Sequence, residues 1–291
     1  MHQYLKAIGF SETMTRKALD TLLKKMVVEN DGQEAVSENE NTAFVEIRKK
    51  FGPNIGIILY GEMDRDGFHE KCYFPYLEGK NVSTTEDLTV EQNGSGDTYS
   101  AACEDPRVGI TLIFHLQNAV ALQRERKHSN FISKKQSTIL TGLCLEGKIL
   151  LPIYHKNTVQ MTCEKDSVAK RKSLLADARK GDEDAIESLT LEDMDTYSMI
   201  SKRIQTEDVF SIVETFFMPY GIECDKYQIM GRIMEYKKVE NEYTGEKLYQ
   251  MTLECNDIFM DICINAKDLL GEPEVGRRFK GMIWLQGEIQ F

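Results

Sequence analysis

The chain has 291 residues, enough for two domains at roughly 100–200 residues each. Apolar residues make up 41% and charged residues 29%, which excludes a disordered or collagen-like chain. The net charge of −11, split as −2 over residues 1–160 and −9 over residues 161–291, disfavours non-specific binding to nucleic acid.

In chain order, the apolar start YLKAIGF reads as a short strand. Met14, Ala18, Leu19, Leu22, Leu23, Met26 and Val27 then recur at helical spacing, with Arg16, Lys17, Asp20 and Lys24 on the other face. Ser11 is the expected N-cap, and the helix should end near NDGQ, followed by a polar loop. FVEIRKKFG, NIGIILYGEMD and FHEKCYFPYLEG read as three strands, the last two joined by a hairpin through Asp66-Gly67. In the third strand, alternation puts Phe68, Cys72, Phe74 and Tyr76 on one face. A polar stretch of strand edges and loop follows, then the buried strand VGITLIFHL and the short helix AVALQRERK. TILTGLCL and KILLPIY read as a hairpin turning at Gly147-Lys148. Residues 1–158 are thus expected to form an antiparallel-sheet α+β domain.

Residues 159–205 read as a helical connector. VAKRKSLLADARKG and DEDAIESL are separated by Gly181, and Thr190 caps a further helix with Asp193 at the capping-box position. From residue 206 the period returns to two. VFSIVETFF, YQIMGRIMEY, KLYQMTLEC, IFMDICI and RFKGMIWLQGEIQF read as five strands, with a turn at Asn256-Asp257. Five strands in residues 206–291 predict a small OB-like β-barrel, and the fold class is α+β.

The seven cysteines are scattered without CxxC spacing, so free thiols in a reducing, cytoplasmic setting are expected. The start MHQYLKAIGFSETMTRK lacks the apolar core of a secretion signal, and no run approaches the ~20 apolar residues of a membrane helix.

Three strings, MHQYLKAIGFS, LEDMDTYSMISKRIQTEDVFSIVETFFMPYGIECD and INAKDLLGEPEVGRRFKGMIWLQG, resemble an uncharacterised bacterial family known as a domain of unknown function. The resemblance runs the length of the chain and implies no catalytic or binding residues.

Motifs that mimic known chemistry fail on context. Gly142–Lys148 matches the first seven positions of a P-loop, but Ile149 stands where a magnesium-binding hydroxyl belongs and no helix follows. Glu62, Asp64, Asp66 and Gly67 open like a calcium loop, but Tyr73 replaces its bidentate glutamate. His69 and Cys72 point to opposite faces of a strand. RERKHSNFISKK, residues 124–135, is the one basic cluster and reads as an exposed helix end.

The leading reading is therefore a non-enzymatic cytoplasmic binding or scaffold protein that contacts a protein or a small-molecule ligand. No membrane, cofactor, catalytic residue or metal is expected, and single-stranded nucleic acid is disfavoured by the acidic barrel. Arg277, Arg278 and Trp284 are the candidate ligand-binding residues. Trp284 falls opposite the apolar face of the last strand, beside Lys280, Met282, Gln286 and Glu288. Packing against the chain's own helical connector or N-terminal domain is the competing account of that tryptophan. The rival reading is a metal-dependent enzyme: the N-terminal order of elements is loosely similar to the βαβββ modules of the vicinal oxygen chelate superfamily, which would use His2, Glu70 and His115 as ligands.

Overall fold

The computed structural model describes residues 2–10, 14–37, 39–94, 98–128, 135–152, 173–178, 180–205, 208–221 and 224–291. The first segment is a 3-10 turn, η1 (Gln3–Ile8), and not a strand. Its buried residues Tyr4, Leu5, Ala7 and Ile8 follow helical spacing, and Gly9 ends it at φ 91°, a left-handed backbone that glycine adopts without strain. Helix α1 (Arg16–Val28) buries Leu19, Leu22, Leu23 and Met26. Its cap is Thr15, whose hydroxyl accepts from the Ala18 amide at 3.2 Å; Ser11 lies outside the described residues.

Strands β1 (Gly32–Ser37), β2 (Ala43–Gly52), β3 (Ile55–Asp64) and β4 (Gly67–Leu77) form a four-stranded antiparallel sheet in that order. β1 escaped the hydrophobic pattern because Val36 is its one buried residue, as suits an edge strand. Between β3 and β4 the register slips: Tyr60 faces Cys72, but Gly61 faces Glu70. This bulge at Lys71 puts Phe68 on the opposite face from Cys72, Phe74 and Tyr76, against simple alternation.

The second sheet contains β5 (Thr84–Glu86), β6 (Leu88–Gln92), β7 (Tyr99–Glu104), β8 (Thr111–Leu116), β9 (Gln136–Leu150), β10 (Phe216–Pro219), β11 (Lys226–Glu240), β12 (Lys247–Cys255), β13 (Ile258–Asn265), β14 (Leu269–Leu270) and β15 (Arg278–Gln290). Its order is β10-β11-β12-β13-β9-β15-β8-β7-β6, with β5 and β14 joined to β9. β11 pairs with β12 and also with β15, so the path β11–β12–β13–β9–β15 returns to β11. Every pairing on that path is antiparallel except β13–β9. The turn joining β12 to β13 holds Asn256 and Asp257 at φ 51° and 59°, the left-handed pair of a tight hairpin.

β9 is one strand of 15 residues, not a hairpin. Gly147 does not turn the chain. It pairs with Gly281, and a Cβ there would lie 2.4 Å from the Phe279 ring. The glycine makes room for an aromatic.

Helix α2 (Ala119–His128) follows β8. A further helical stretch, α3 (173–178), precedes α4 (Glu183–Ile204) and the single turn α5 (Val209–Ile212). Gly181 is left-handed at φ 88° between α3 and α4. The cap of α4 is Asp182, which accepts from the amides of Asp184 and Ala185, and not Thr190. Thr190 sits mid-helix, its hydroxyl donating to the Ile186 carbonyl at 2.8 Å, which satisfies the group without interrupting the helix. VFSIVETFF divides into α5 and β10 instead of forming one strand.

The two sheets meet through a satisfied polar layer. The Gln117 amide donates to the carbonyl of Leu77, the hydroxyl of Thr141 and Oε1 of Gln286 at 3.0–3.2 Å. Gln286 donates in turn to the Pro75 carbonyl at 2.8 Å, and Gln250 to that of Pro53 at 2.6 Å. Asp261 accepts from the Lys80 amide and the Thr252 hydroxyl. At the start of α2 the orphan amides find buried acceptors: Ala119 donates to the Tyr60 hydroxyl, and Val120 to the Glu46 carboxylate, which Arg48 also holds at 2.6 Å. These contacts fix how β15 and β9 lie against the first sheet.

Candidate functional site on the last strand

The candidate residues lie at two ends of β15. Trp284 is 5% exposed and packs within its own chain. Its ring lies 5.2 Å from Tyr4 in a stacked geometry, 4.7 Å from His2, 5.0 Å from His115 and 6.4 Å from Phe74, which meets it edge-on. Its indole nitrogen donates to Asp225 Oδ2 at 2.6 Å, and the Asp225 carbonyl accepts from the Leu285 amide. The residue is therefore opposite the interior, as the alternation predicts, but η1 and β4 cover it. Both faces of β15 are buried from Ile283 to Gly287, so strict alternation of apolar and polar residues fails there.

The two histidines of this cluster are neutral. Burial, with Lys226 adding to it, pulls His2 down to about 4. Burial, with His2 adding to it, pulls His115 down to about 3. Among the described residues, His2 Nδ1 and His115 Nε2 have no hydrogen-bond partner. Glu70 does not join them. It stands on the far side of the β4 bulge, where burial and the nearby Asp20 raise its carboxyl and Lys24 opposes them. Among the described residues no three of His, Cys, Asp and Glu converge as a metal-binding group, so the metal-enzyme reading loses its ligand set.

At the other end of β15, roughly 20 Å of strand away, Arg278 is 5% exposed. Its guanidinium donates to the carbonyls of Leu151 at 3.0 Å and Val213 at 2.9 Å. Burial lowers its pKa, with Glu214 opposing. Arg277 turns outward and pairs with Glu274 at 2.5 Å and the Glu272 carbonyl at 3.2 Å. The arginines and Trp284 thus share a strand but not a site.

Sequence reasoning placed Lys280 on this face but missed what other elements bring to it. Lys280 lies two residues on, on the same face, and faces Lys148 of β9 directly across the strands. The Lys280 ammonium sits 4.1 Å from the centre of the Phe210 ring, and Lys148 lies 5.8 Å from the same ring. Phe216 of β10 stands 5.8 Å from Lys280. Arg232 of β11 faces Arg278 and pairs with Glu214, with Glu254 at 3.9 Å. Burial and Lys148 both push the Lys280 amine down. The signal for Lys280 was its alternation with Arg278. Lys148 was hidden by reading its glycine neighbour as a turn.

The other basic cluster is consumed by the fold. Arg124 reaches Glu34 and the Ala35 carbonyl, Arg126 the Val90 carbonyl, Lys127 the Ser37 carbonyl and Lys135 Glu86. Residues 129–134 lie outside the described residues. The crevice between the sheets, lined by Leu77, Lys80, Gln250, Thr252 and Asp261, holds about 10 Å³, room for a single water at most. His69 pairs with Asp64 at 3.1 Å on an exposed hairpin, and Gly142–Lys148 is strand with a bulge at Leu145, where the register with β15 shifts. Six cysteines are free thiols, and Cys163 lies outside the described residues. Among the described residues no helix is long and apolar enough to cross a membrane.

Fold and site together define a mostly β protein of the α+β class, with a sealed aromatic–histidine cluster and a cation-bearing outer sheet face. The chain belongs to the family DUF3881, described as "Domain of unknown function, E. rectale Gene description", whose model matches residues 5–287. No curated protein and no solved structure matches it. The family description assigns no activity.

Proposed function

We propose that the chain is a non-enzymatic cytoplasmic binding protein that contacts a protein or small-molecule ligand through an OB-like barrel formed by β11, β12, β13, β9 and β15. The ring of pairings, antiparallel but for β13–β9, supports that reading of the barrel. OB barrels usually receive ligands on the outer face of their second and third strands. Here Gln250 of β12 and Asp261 of β13 give that face to the β2–β3 turn and to the loop after β4. The observation that carries the proposal is the other outer face, where Lys148 and Lys280 meet across β9 and β15 beside Phe210 and Phe216. In this reading Arg277 and Arg278 border the contact surface, while Trp284 anchors the strand that carries it.

The test is a thermal-shift screen of anionic, neutral and cationic small molecules and peptides, followed by hydrogen-exchange footprinting of each hit. A ligand present at 100 times its Kd should stabilise the protein by about 2.7 kcal/mol. It should protect residues 145–150 and 278–282 and be recovered unchanged. Recovery as a product, or protection confined to another face, overturns the proposal.

A further inference from the structure

We infer that Lys148 and Lys280, with Phe210 as their floor, hold the phosphate monoester of a small ligand. The inference rests on the reading of this face as the contact surface and adds the class of ligand.

Like charges directly opposite on neighbouring strands destabilise a sheet, and an unbound protein gains by placing a carboxylate beside them. Here, among the described residues, both ammonium groups stand over aromatic rings: Phe210 for both, and Phe216 for Lys280. Neither lysine has a carboxylate within ion-pair distance among the described residues, although the chain has eleven more acidic than basic groups to draw on. The charged groups facing them are Arg278 and Arg232, on the same face of β15 and β11, Glu146 two residues before Lys148, and Glu214, which is committed to Arg232. A cation over an aromatic ring is held in place but not neutralised. The arrangement is thus organised for an anion that completes it.

The chemistry narrows the anion. Two ammonium groups act as separate point charges, where a carboxylate would be matched best by one planar arginine fork. A phosphate monoester carries about −1.5 to −2 charges at neutral pH and three acceptor oxygens, which suits two ammoniums and leaves the third oxygen for solvent. Phe210 and Phe216 offer an apolar wall for the organic part of the ligand. A nucleic-acid strand is the less favoured occupant, since a polymer needs a track of cations and the surrounding half of the chain carries −9.

The experiment is an NMR titration of the full chain with inorganic phosphate, phenyl phosphate and succinate at fixed ionic strength, observing the lysine side chains. Phosphate should produce saturable shifts centred on Lys148 and Lys280, and phenyl phosphate should bind more tightly than phosphate. Lys148→Met and Lys280→Met should each weaken phosphate binding by roughly tenfold, the loss of one charge-assisted contact. Phe210→Leu should erase only the preference for phenyl phosphate, and the exposed control Lys17→Met should change nothing. A response that stays linear to about 50 mM, or that survives in both lysine variants, overturns the inference. Equal binding of succinate, or binding of an oligonucleotide with a steep salt dependence and none of phosphate, also overturns it. A hit from the wider screen that protects residues 145–150 and 278–282 but carries no phosphate would sink this inference alone. Protection elsewhere sinks the reading beneath it.

Discussion

His115 and His2 carry the molecule's clearest response to pH. Both are neutral because burial removes water from the imidazolium, and their folded pKa values, about 3 and about 4, lie below the ordinary 6.5. A depressed histidine leaves the unfolded chain holding the extra proton between the two values. The stability it contributes is complete above pH 6.5 and is lost as pH falls from 6.5 through 4 toward 3. At about 1.4 kcal/mol per pH unit, His115 alone accounts for roughly 4 kcal/mol lost by pH 3. Urea midpoints measured from pH 7 to pH 3.5 should fall steeply, and His115→Phe should flatten the fall. The phenyl ring replaces a nitrogen that has no partner, so stability at pH 7 should hold or rise. An unchanged slope in the variant would show that the histidine is not the source. Beside it, Trp284 is the protein's sole tryptophan, and its emission should be blue-shifted and poorly quenched by acrylamide. Trp284→Ala should cost about 3–5 kcal/mol, because the ring fills the space between Tyr4, His2 and His115. Red-shifted, readily quenched emission would mean that η1 does not cover it in solution.

At the scale of elements, what could be read from the sequence depended on which neighbour supplies the burial. β2, β3, β12 and β13 announce themselves because their own alternation or apolar run matches the face they bury. The Asn256-Asp257 turn was legible for the same local reason. η1 was misread because its apolar residues are packed by β4, β9 and β13, which lie far along the chain. The face of Phe68 was misread because a bulge has no signature in one strand alone. β9 was split because a glycine followed by lysine resembles a turn, although Gly147 is a cavity for a ring that arrives with β15. The candidate site suffered from that last error: Lys280 was visible in its own strand, whereas its partnership with Lys148 exists only across strands. Gly147→Val tests this account. Its side chain would collide with Phe279, costing about 1–3 kcal/mol in a denaturant melt, with the loss partly recovered by Phe279→Leu. A flexible turn at this position would accept valine with little loss of stability and no rescue.

For the whole molecule, the decisive fact is where β9 sits. The composition divides the chain at a helical connector, residues 159–205, yet β9 lies before that connector and pairs with β13 and β15, which lie after it. Its register with β15 runs from Ser137–Gln290 to Leu150–Arg278, the longest pairing among the described residues, and with β13 from Thr141–Asp261 to Cys144–Ile264. A fragment of residues 206–291 therefore keeps β11, β12, β13 and β15 but opens the ring between β13 and β15. It also uncovers Trp284, Gln286 and Asp261, whose partners Tyr4, Gln117 and Lys80 lie in η1 and in the segments after β8 and β4, all absent from the fragment. Two long unpaired edges and a stripped apolar face favour association over folding. The fragment should be aggregated or molten, without a cooperative denaturant transition, while the full chain unfolds cooperatively. Mixing it with a fragment of residues 1–152, which carries β9 and the first sheet, should restore soluble protein and the blue-shifted tryptophan emission. If the 206–291 fragment alone folds cooperatively with that emission already present, β9 and the first sheet are dispensable, and the ring closes without them.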